Sequence, residues 1–377
     1  MSQERLPTPK LITESSELQK MVDELALESI IAVDTESNSL YAYQEQVCLI
    51  QFSTQQNDYL VDPLALDDIS SLEPIFSSPQ IEVIFHAAEY DLMCLKRDFG
   101  FTFTHLFDTM VAARTLGRKE VGLGSLLKAE FGVTVEKKYQ RANWGQRPLP
   151  AHMLQYAQLD THYLIALREI LKQALITNGR YALAEEDFIR LCQVSEHNTD
   201  KRPVDCWRIN GAFDLDPQQA AVLKELSIYR DQIARRKNRP LFKVMNDHVL
   251  ISLAERCPRN REELKKTPGL SHGQATQYWK GLLGAINRGL QAEPLHPPAY
   301  KRPNNGFLER LEALKNWRKM TAREMGVNSD VVLPRDLMYA IAERRPQDSS
   351  ELKTLMDDTP YRYECFGDEI MVVLPGR

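Results

Sequence analysis

Four acidic residues and one tyrosine have the types and spacing that suit a hydrolytic metal site. Asp34 and Glu36 stand two residues apart at the end of an apolar run, so a strand there would place both carboxylates on one face of a sheet. Asp91 lies near the start of a predicted helix. Tyr156 and Asp160 stand four residues apart in a helical pattern, which stacks them on one helix face. Together they predict carboxylates held on rigid elements, as a pair of bound metal ions requires.

The chemistry that such a set could perform is phosphodiester hydrolysis with two divalent ions, Mg²⁺ or Mn²⁺. Hard cations prefer oxygen ligands. One ion would lower the pKa of a bound water, and the other would stabilise the leaving 3′-oxygen. The Tyr156 hydroxyl could hydrogen-bond the attacking water. Taken singly, each acid is more often a surface or helix-capping residue than a metal ligand, and spacing alone does not bring the strand end to the helix.

The elements that must position these residues alternate between strands and helices. Apolar runs predict strands at residues 30–34, 47–52, 59–61 and 82–85. Helical patterns occur at residues 15–27, 72–76, 87–99, 109–116, 123–131 and 153–175. Because the early strands follow in hairpin order and the later ones are joined through helices, residues 1–200 predict an α/β domain with a mixed sheet. Asp108 is interpreted as the N-cap of the helix that follows it, and no more.

Residues beyond about 201 carry no strand signal and contain a repeat. Proline-rich breaks at residues 203–217 and 294–303 separate two all-helical stretches. A constant offset of 88 residues pairs Leu223 with Leu311, Leu226 with Leu314, Arg230 with Arg318, Ala234 with Ala322, Arg235 with Arg323, Val244 with Val332, Ala254 with Ala342 and Pro258 with Pro346. We therefore predict two copies of one helical module, at residues 212–292 and 300–377. Tyr229 and Trp317 share one repeat position and are predicted core residues.

Charge is divided unevenly along the 377-residue chain. Residues 1–200 hold 17 Lys and Arg against 29 Asp and Glu, whereas residues 201–377 hold 30 against 23. An acidic front and a basic back fit a nuclease that binds metal in one part and RNA phosphates in the other, although domains of ordinary proteins also differ in charge. No apolar run approaches the roughly 18 residues of a membrane span. Six cysteines without a CxxC pair argue against a zinc site and favour a reducing cytoplasm.

The motifs resemble those of a known family. Val33-Asp34-Thr35-Glu36, His86 to Asp91, and Tyr156 to Asp160 are similar, in order and spacing, to the three exonuclease motifs of the Tyr-containing subgroup of the DEDD superfamily. Residues 107–114 and 138–150 resemble the ribonuclease D family and its exosome-associated relatives, and the helical repeats resemble HRDC domains. The resemblance implies an α/β exonuclease domain with a ribonuclease H-like mixed sheet, followed by two all-α helical domains.

The same resemblance implies an activity and a role for each site residue. The implied enzyme is a 3′→5′ exoribonuclease that releases nucleoside 5′-monophosphates from RNA with a single-stranded 3′ end, and tRNA precursors are its expected substrates. Asp34 would bridge two metal ions. Glu36 and Asp160 would bind the ion beside the nucleophile, and Asp91 would bind the other. Tyr156 would orient the attacking water. We further expect a monomer in the cytoplasm, with no membrane association.

Candidate RNA contacts lie outside the metal set. They are a histidine at a strand end, three residues of the loop before the last motif, and a basic run in the first repeat: His86; Arg141, Trp144 and Arg147; and Arg235, Arg236, Lys237 and Arg239. Aromatic and basic groups suit single-stranded RNA. Plainer interpretations stand beside these: His86 could be structural, Trp144 a packing anchor, and the basic run a solvated helix face. In the second repeat, Asp357 and Asp358 would repel phosphate, which favours packing over RNA binding there.

Two other functions compete with RNA hydrolysis. The superfamily that the motifs resemble also contains DNA 3′→5′ exonucleases of the proofreading or repair type, which use the same metal site. Preference for a substrate with 2′-hydroxyls would separate the two activities. A non-catalytic RNA-binding scaffold would need a broken acid set, whereas all four acids and the tyrosine are present in this sequence.

Overall fold

The computed structural model describes residues 6–135, 137–195, 204–299 and 304–375. The chain forms two compact units: one comprises residues 1–36, 47–197 and 302–377, and the other comprises residues 37–46 and 198–301. The predicted domain limits at 200 and 300, and the start of the proline-rich break at Pro203, lie outside the described residues. Among the residues that are described, no helix is both long and apolar enough to cross a membrane.

A mixed sheet of six strands is the centre of the α/β domain, as the sequence predicts. The strands are β1 (Lys10–Ile12), β2 (Ile30–Ser37), β3 (Val47–Ser53), β4 (Asp58–Val61), β5 (Glu82–Phe85) and β6 (Leu106–Asp108). Their order is β1-β4-β3-β2-β5-β6, with β3 and β4 antiparallel and the β1–β4, β2–β5 and β5–β6 pairs parallel. The sequence does not predict β1 and β6, because three residues are too few to show a period of two.

The register of the parallel strands places the candidate site at one edge of the sheet. Residues 31–33 of β2 are fully buried. Ala32 pairs with Ile84 of β5, so Asp34 and Glu36 continue past the paired residues at the carboxyl end of the strand. β5 in turn pairs with β6 through its own last residue. In open α/β sheets, ligands bind at this edge, outside the carboxyl ends of the parallel strands.

Eight helices belong to the described part of the α/β domain. They are α1 (Ser15–Leu25), α2 (Glu73–Phe76), α3 (Glu89–Phe99), α4 (Thr109–Thr115), α5 (Leu123–Phe131), α6 (Ala151–His162), α7 (Leu164–Thr177) and α8 (Tyr181–Cys192). The prediction of one helix over residues 153–175 is wrong, because the helix is interrupted at Tyr163. The backbone N–H of Tyr163 bonds to the Thr161 carbonyl instead of continuing the ladder. The apolar pattern runs through this break, so hydropathy does not reveal it.

The two helical repeats have the same five-helix pattern. The first contains α9 (Pro217–Lys237), α10 (Leu241–Val244), α11 (Asp247–Arg256), α12 (Arg261–Lys265) and α13 (His272–Gln291). The second contains α14 (Asn305–Met325), α15 (Ser329–Val332), α16 (Arg335–Arg344), α17 (Ser349–Leu355) and α18 (Pro360–Val373). Each helix of the second repeat begins 88 residues after its counterpart, so the repeat predicted from the sequence is confirmed.

The second repeat packs on α8 of the α/β domain, within the same compact unit. Arg362 in the first turn of α18 is fully buried, and its guanidinium pairs with Glu186 at 2.9 Å and with Asp187 at 2.8 Å. Asp358, which is expected from the sequence to repel phosphate, pairs with Arg190 of α8. The packing role predicted for this repeat is therefore confirmed, and its poor RNA binding stays a prediction.

Candidate active site

The carboxyl edge of the sheet brings two of the motif segments together. Asp34 and Glu36 lie half-buried on β2, and Asp91 lies in the first turn of α3 with 9% of its surface exposed. The Thr35 hydroxyl donates a hydrogen bond to Asp91 Oδ1, which ties β2 to α3. Thr35, to which the sequence analysis gives no role, therefore fixes one candidate ligand relative to the other two.

Helix α6 carries Tyr156 and Asp160 on its buried face. Three polar contacts anchor this helix to β3 and β4: the hydroxyls of Ser53 and Thr161 are 2.7 Å apart, Gln158 Nε2 donates to Asp58 Oδ2 at 2.6 Å, and His162 Nδ1 lies 2.8 Å from the same oxygen. These anchors are not among the residues that the sequence predicts to be functional. The signal that could have found them is a polar residue at each facing end of two largely apolar strands, Ser53 on β3 and Asp58 on β4.

Tyr156 lies one helical turn before Asp160 on α6, and the two side chains interact electrostatically. The Tyr156 ring packs beside those of Trp144 and Tyr139, with centroid separations of 6.1 and 5.6 Å. Burial, followed by the charges of the neighbouring carboxylates, raises the pKa of Tyr156. The phenol therefore keeps its proton at neutral pH and acts there as a hydrogen-bond donor.

The four acids share one electrostatic environment. Burial raises the pKa of Asp34 well above its ordinary range, and the charges of the other three acids, Asp91 first, raise it further. Burial likewise raises the pKa of Glu36, with contributions from Asp160 and Asp91. The pKa values of Asp91 and Asp160 are each raised, mainly by burial, to about 7. The structure thus brings together the four acids and the tyrosine that the sequence suggests as one site.

Four carboxylates that repel one another fit divalent cations. The charged groups that act most strongly on Asp34 and Glu36 are other carboxylates, so ionising the whole set without a cation is unfavourable. Across the described ranges, no three acidic, His or Cys side chains by themselves enclose one metal position. Mg²⁺ commonly takes one or two protein carboxylates and completes its shell with waters and substrate phosphates. Asp34, Glu36, Asp91 and Asp160 would hold the metal in that way.

Asp108 does more than cap α4. Its side chain, 1% exposed, accepts hydrogen bonds from the backbone N–H groups of Met110 and Val111 at 2.7 and 3.0 Å, as an N-cap does. It also accepts from the N–H groups of Ala87 and Ala88 at 3.2 and 2.7 Å. The prediction of an N-cap only is therefore wrong. One carboxylate also fixes the turn before α3, where Ala87 has a left-handed φ of 64°.

His86 lies in the same turn. Its Nδ1 is 2.9 Å from Thr109 Oγ1, and the Thr109 hydroxyl donates to the Phe85 carbonyl at 3.2 Å. Since a hydroxyl has one proton to donate, His86 Nδ1 carries a hydrogen and Nε2 is left as an acceptor. Burial lowers the pKa of His86, which favours this neutral form. A structural role accounts for one ring nitrogen, and an RNA contact through the other stays a prediction.

The loop before α6 uses two of its three candidate residues for packing. Trp144 is 1% exposed and backs the Tyr156 ring, so its face is covered. Arg147 makes five hydrogen bonds, two to the carboxylate of Asp62 and three to backbone carbonyls. Those bonds use all five of its donors. Arg141 has an exposed side chain, so among the three it is the residue whose position best suits the predicted RNA contact.

The basic run at the end of α9 is divided in a similar way. Arg235 bonds a tyrosine and an aspartate of its own compact unit, and Lys237 donates to the Tyr278 hydroxyl at 2.8 Å. Arg236 and Arg239 are exposed. The RNA contacts predicted for the run stay predictions, and the two exposed arginines are the members placed to meet a phosphate.

Two family models match the chain. Residues 9–176 match the family described as 3′-5′ exonuclease, and residues 219–286 and 307–374 match the HRDC domain. The two HRDC matches are offset by the same 88 residues as the helices. The matched segments therefore follow the division into one α/β domain and two helical modules.

Individual relatives cover the chain to different extents. Ribonuclease D from Sphingobium indicum is 30% identical over 375 residues, which are 97% of this chain and 95% of that protein. Protein RRP6-like 3 from Arabidopsis thaliana is 31% identical over 67% of this chain, and the chain spans only 31% of that protein. The exosome complex exonuclease RRP6 from Saccharomyces cerevisiae is 32% identical over 66% of this chain, and the chain spans only 36% of that protein. The crystal structure of Escherichia coli RNase D matches with a TM-score of 0.71 and 25% identity, over 98% of this chain and 99% of that one. The chain belongs to the ribonuclease D family of 3′→5′ exoribonucleases.

Proposed function

We propose that this protein removes nucleotides one at a time from RNA 3′ ends, in a hydrolysis that depends on two divalent ions. The observation that carries the proposal is the meeting of Asp34, Glu36, Asp91, Asp160 and Tyr156 at the carboxyl edge of the sheet, with raised pKa values. Perturbed titratable groups gathered at one place are a mark of functional sites. An intact set of acids argues against a non-catalytic scaffold.

The reaction would break the bond between the phosphorus and the 3′-oxygen. Water attacks the phosphorus, the terminal nucleoside leaves as its 5′-monophosphate, and the 3′-oxygen of the shortened RNA takes up a proton. When bound, the two divalent ions supply a water of lowered pKa and stabilise the charge that develops on the leaving oxygen. The protein's part is to hold these groups in line before the reaction starts.

The residues would divide that task according to their positions. Asp34 would serve both ions. Glu36 and Asp160 would act on the side of the attacking water, and Asp91 on the side of the leaving oxygen. The packing of the Tyr156 ring against Trp144 and Tyr139 holds the phenol on the same helix face as Asp160, so the hydroxyl could position the attacking water.

RNA with a single-stranded 3′ end is the proposed substrate, and tRNA precursors are the proposed natural ones. The Escherichia coli relative is described as an exoribonuclease involved in structured RNA processing. Residues 204–299 of this chain, the first repeat, hold 15 Lys and Arg against 10 Asp and Glu, which suits a phosphate backbone. We propose that the protein is a monomer, and that it acts in the cytoplasm, because six free cysteines suit a reducing compartment.

Hydrolysis of end-labelled RNA in Mg²⁺ tests the activity. A 5′ label should show products that shorten one nucleotide at a time, and a 3′ label should appear at once as mononucleotide. Asp34→Asn keeps the shape of the side chain and removes its charge, so it should abolish hydrolysis. Asp67→Asn, at an exposed acid outside the site, is the matched control and should hydrolyse RNA normally. DNA hydrolysed as fast as RNA would favour the DNA exonuclease, and no hydrolysis of either would favour a scaffold.

Two further experiments test the mechanism. Excess EDTA should stop hydrolysis, and unchanged hydrolysis would contradict metal dependence. Tyr156→Phe keeps the ring packing and removes only the hydroxyl. We expect it to slow hydrolysis by roughly 100-fold or more with RNA affinity nearly unchanged, since groups that orient or move protons contribute on the order of 10²-fold or more. A large loss of affinity would instead assign Tyr156 to RNA binding.

The natural substrate and the oligomeric state need their own measurements. In a competition between a tRNA precursor with a 3′ trailer and an unstructured RNA of equal length, faster trimming of the precursor supports the proposed role. Equal rates would leave a general exonuclease. Light scattering during size-exclusion chromatography should give the mass of one chain, and twice that mass would contradict the monomer.

A further inference from the structure

The segment that follows Glu36 belongs to a different compact unit from the acids themselves. Residues 37–46 leave the carboxyl end of β2, and the chain re-enters the sheet at Val47. They group with the first repeat. Tyr43, near the middle of this loop, packs partly buried against the hydrophobic core of that repeat. The loop therefore joins the candidate active site to α9 through the continuous backbone.

Tyr43 makes a closed set of polar contacts with α9. Its hydroxyl donates to Asp231 Oδ1 at 2.6 Å and accepts from Arg235 Nε at 2.7 Å. Arg235 Nε also lies 3.0 Å from the second oxygen of Asp231, which completes a triangle. The backbone N–H of Tyr43 donates to Asn238 Oδ1 at 3.0 Å, at the C-terminal end of the helix. Both the side chain and the main chain of Tyr43 are thus held.

Two cation–aromatic contacts reinforce this attachment. Lys243 Nζ lies 3.7 Å from the centroid of the Tyr41 ring, and the Arg235 guanidinium lies 5.3 Å from that of Tyr43. Such contacts are attractive because a cation is drawn to the negative face of an aromatic ring. They also engage Arg235 within the protein, which explains why this member of the basic run is poorly placed for phosphate.

The base of the loop is fixed by its own hydrogen bonds. Asn38 N–H donates to the Gln46 carbonyl at 3.3 Å, and Gln46 N–H donates to Asn38 Oδ1 at 2.9 Å. Val47 N–H donates to Asp98 Oδ2 at 2.8 Å where the chain re-enters the sheet. Because Asn38 and Gln46 close the loop on itself, we expect the loop to move as one piece, so that a shift at Tyr43 reaches the end of β2, directly after Glu36.

The second repeat does not carry the same set of partners. The positions 88 residues after Asp231, Arg235, Asn238 and Lys243 hold Lys319, Arg323, Gly326 and Val331. Three of these four positions lack the carboxylate, amide or ammonium group that contacts the loop in the first repeat, and a lysine stands where the first repeat has Asp231. The attachment is thus a property of the first repeat and not of the module in general.

We propose that Tyr43 is a positioning residue: its contacts with α9 hold the segment that continues from Glu36, and so keep the carboxyl end of β2 in the geometry that hydrolysis needs. The proposal rests on the proposed function of the acids. Catalytic geometry is sensitive, since a displacement of about 1 Å can cost on the order of 10²-fold in rate. Tyr43 itself need not touch the RNA. The first repeat would then act on the reaction through the loop, in addition to any RNA that it binds.

Tyr43→Phe is the variant that tests this role, because it removes the hydroxyl and keeps the ring. Hydrogen exchange of amides 39–45 should accelerate about fivefold or more, as expected for losing hydrogen bonds worth about 1 kcal/mol or more. At saturating RNA, kcat should fall by about tenfold while the RNA dissociation constant changes less than twofold. Mn²⁺ should bind the site severalfold more weakly in calorimetry, because Glu36 is held less firmly.

Tyr278→Phe is the matched control. It also removes a tyrosine hydroxyl that a cation of α9 bonds, here Lys237, but it touches no residue of the loop. It should leave loop exchange, kcat and Mn²⁺ affinity at wild-type values. In addition, Asp231→Asn and Tyr43→Phe should be non-additive in kcat, since both break the same contact.

The outcomes separate this proposal from the one it rests on. Loop exchange that does not change in Tyr43→Phe, or loop exchange that rises with kcat and Mn²⁺ affinity unaltered, would overturn the positioning role. A wild-type protein that fails to hydrolyse RNA would overturn the proposed function instead. In that case the loop exchange and the Mn²⁺ affinity still decide whether Tyr43 positions the end of β2.

Discussion

In the first repeat, Arg230 donates to the carbonyl of Met245 at 3.0 Å, and in the second, Arg318 donates to the carbonyl of Leu333 at 2.7 Å. Both donor and acceptor are displaced by the same 88 residues as the helices that carry them. The two repeats therefore keep one backbone and one internal tether. Whatever differs between them reports on how each copy is used.

Charge and surroundings are what differ. The first repeat has 15 Lys and Arg against 10 Asp and Glu over residues 204–299, whereas residues 304–375 have 10 against 13. At one equivalent position, Gln274 closes the capping box of its own helix, while Arg362 is buried against α8. The same module thus serves as a cationic domain that packs against the loop of residues 37–46 and as a structural part of the α/β unit. The fold alone does not determine which of these two roles a copy of the module takes.

The largest predicted difference in stability between variants of the two repeats is at the equivalent positions Gln274 and Arg362. Arg362→Met should destabilise the protein by about 3–5 kcal/mol, because the carboxylate of Glu186 would stay buried without its cation. Gln274→Met should cost about 1 kcal/mol, the value of ordinary hydrogen bonds. Denaturant unfolding followed by tryptophan fluorescence measures both. Adding Glu186→Met to Arg362→Met should recover part of the loss, and equal losses in the two single variants would mean that the repeats are not used differently.

The repeats differ a second time in the contact between their first and last helices. A Cβ on Gly281 would lie within 2.3 Å of Tyr229 ring atoms, so Gly281→Ala should cost about 1–3 kcal/mol through overpacking. At the equivalent positions the Trp317 indole N–H donates to Glu369 at 2.7 Å, and Glu369→Ala should cost only about 1 kcal/mol. Thermal unfolding compares them. Tyr229→Leu should relieve the clash in the Gly281→Ala background, and a neutral Gly281→Ala would show that the tyrosine ring moves aside freely.

RNA affinity should also distinguish the repeats. Replacing Arg236 and Arg239 together by alanine should weaken RNA binding about fivefold. The slope of log affinity against log salt concentration should become shallower, by the amount expected for losing roughly one to two phosphate contacts. Lys315 and Lys319 are exposed on the second repeat and form the matched pair. Their double alanine variant should bind within twofold of wild type in fluorescence anisotropy titrations. Equal losses from the two pairs would assign RNA binding to both copies.

The smallest predicted effect is a charge exchange. Asp247 lies 2.6 Å from Arg230 in the first repeat, whereas Arg335 takes its place in the second. Burial, followed by the charge of Arg335, lowers the pKa of Arg318. Arg335→Asp should replace the repulsion between Arg335 and Arg318 by an attraction. Because the site is partly exposed, we expect it to stabilise the folded protein by only about 0.5 kcal/mol. Calorimetry should show a melting temperature higher by roughly 1–2 °C, and a lower one would contradict the exchange.

The sequence predicts what depends on local pattern. Strands β2 to β5, the gapless repeat and the paired acids Asp34 and Glu36 follow from periodicity and residue type within short windows. The break at Tyr163 does not, because the apolar pattern on either side is continuous. The second role of Asp108 is also hidden, since a capping residue looks the same whether it holds one turn or two.

Long-range contacts explain the remaining misses. Arg235 reads as a phosphate ligand until its partner Tyr43 is known, and the two lie 192 residues apart. Arg147 likewise looks available until its bonds to Asp62, 85 residues away, are seen. The chemical type of these side chains is plain from the sequence. Whether a neighbour already occupies them is a property of the folded chain.

The buried pair between α8 and α18 also sets an order of events during synthesis. Glu186 and Arg362 are 176 residues apart, which the ribosome adds in about 10–35 s at roughly 5–20 residues per second. For that interval the acids of α8 must remain hydrated, because the whole first repeat is synthesised before their partner Arg362. The α/β domain therefore receives this buried contact only after the whole first repeat has been made, so a protease that acts during that interval meets a domain whose α8 surface is still uncovered.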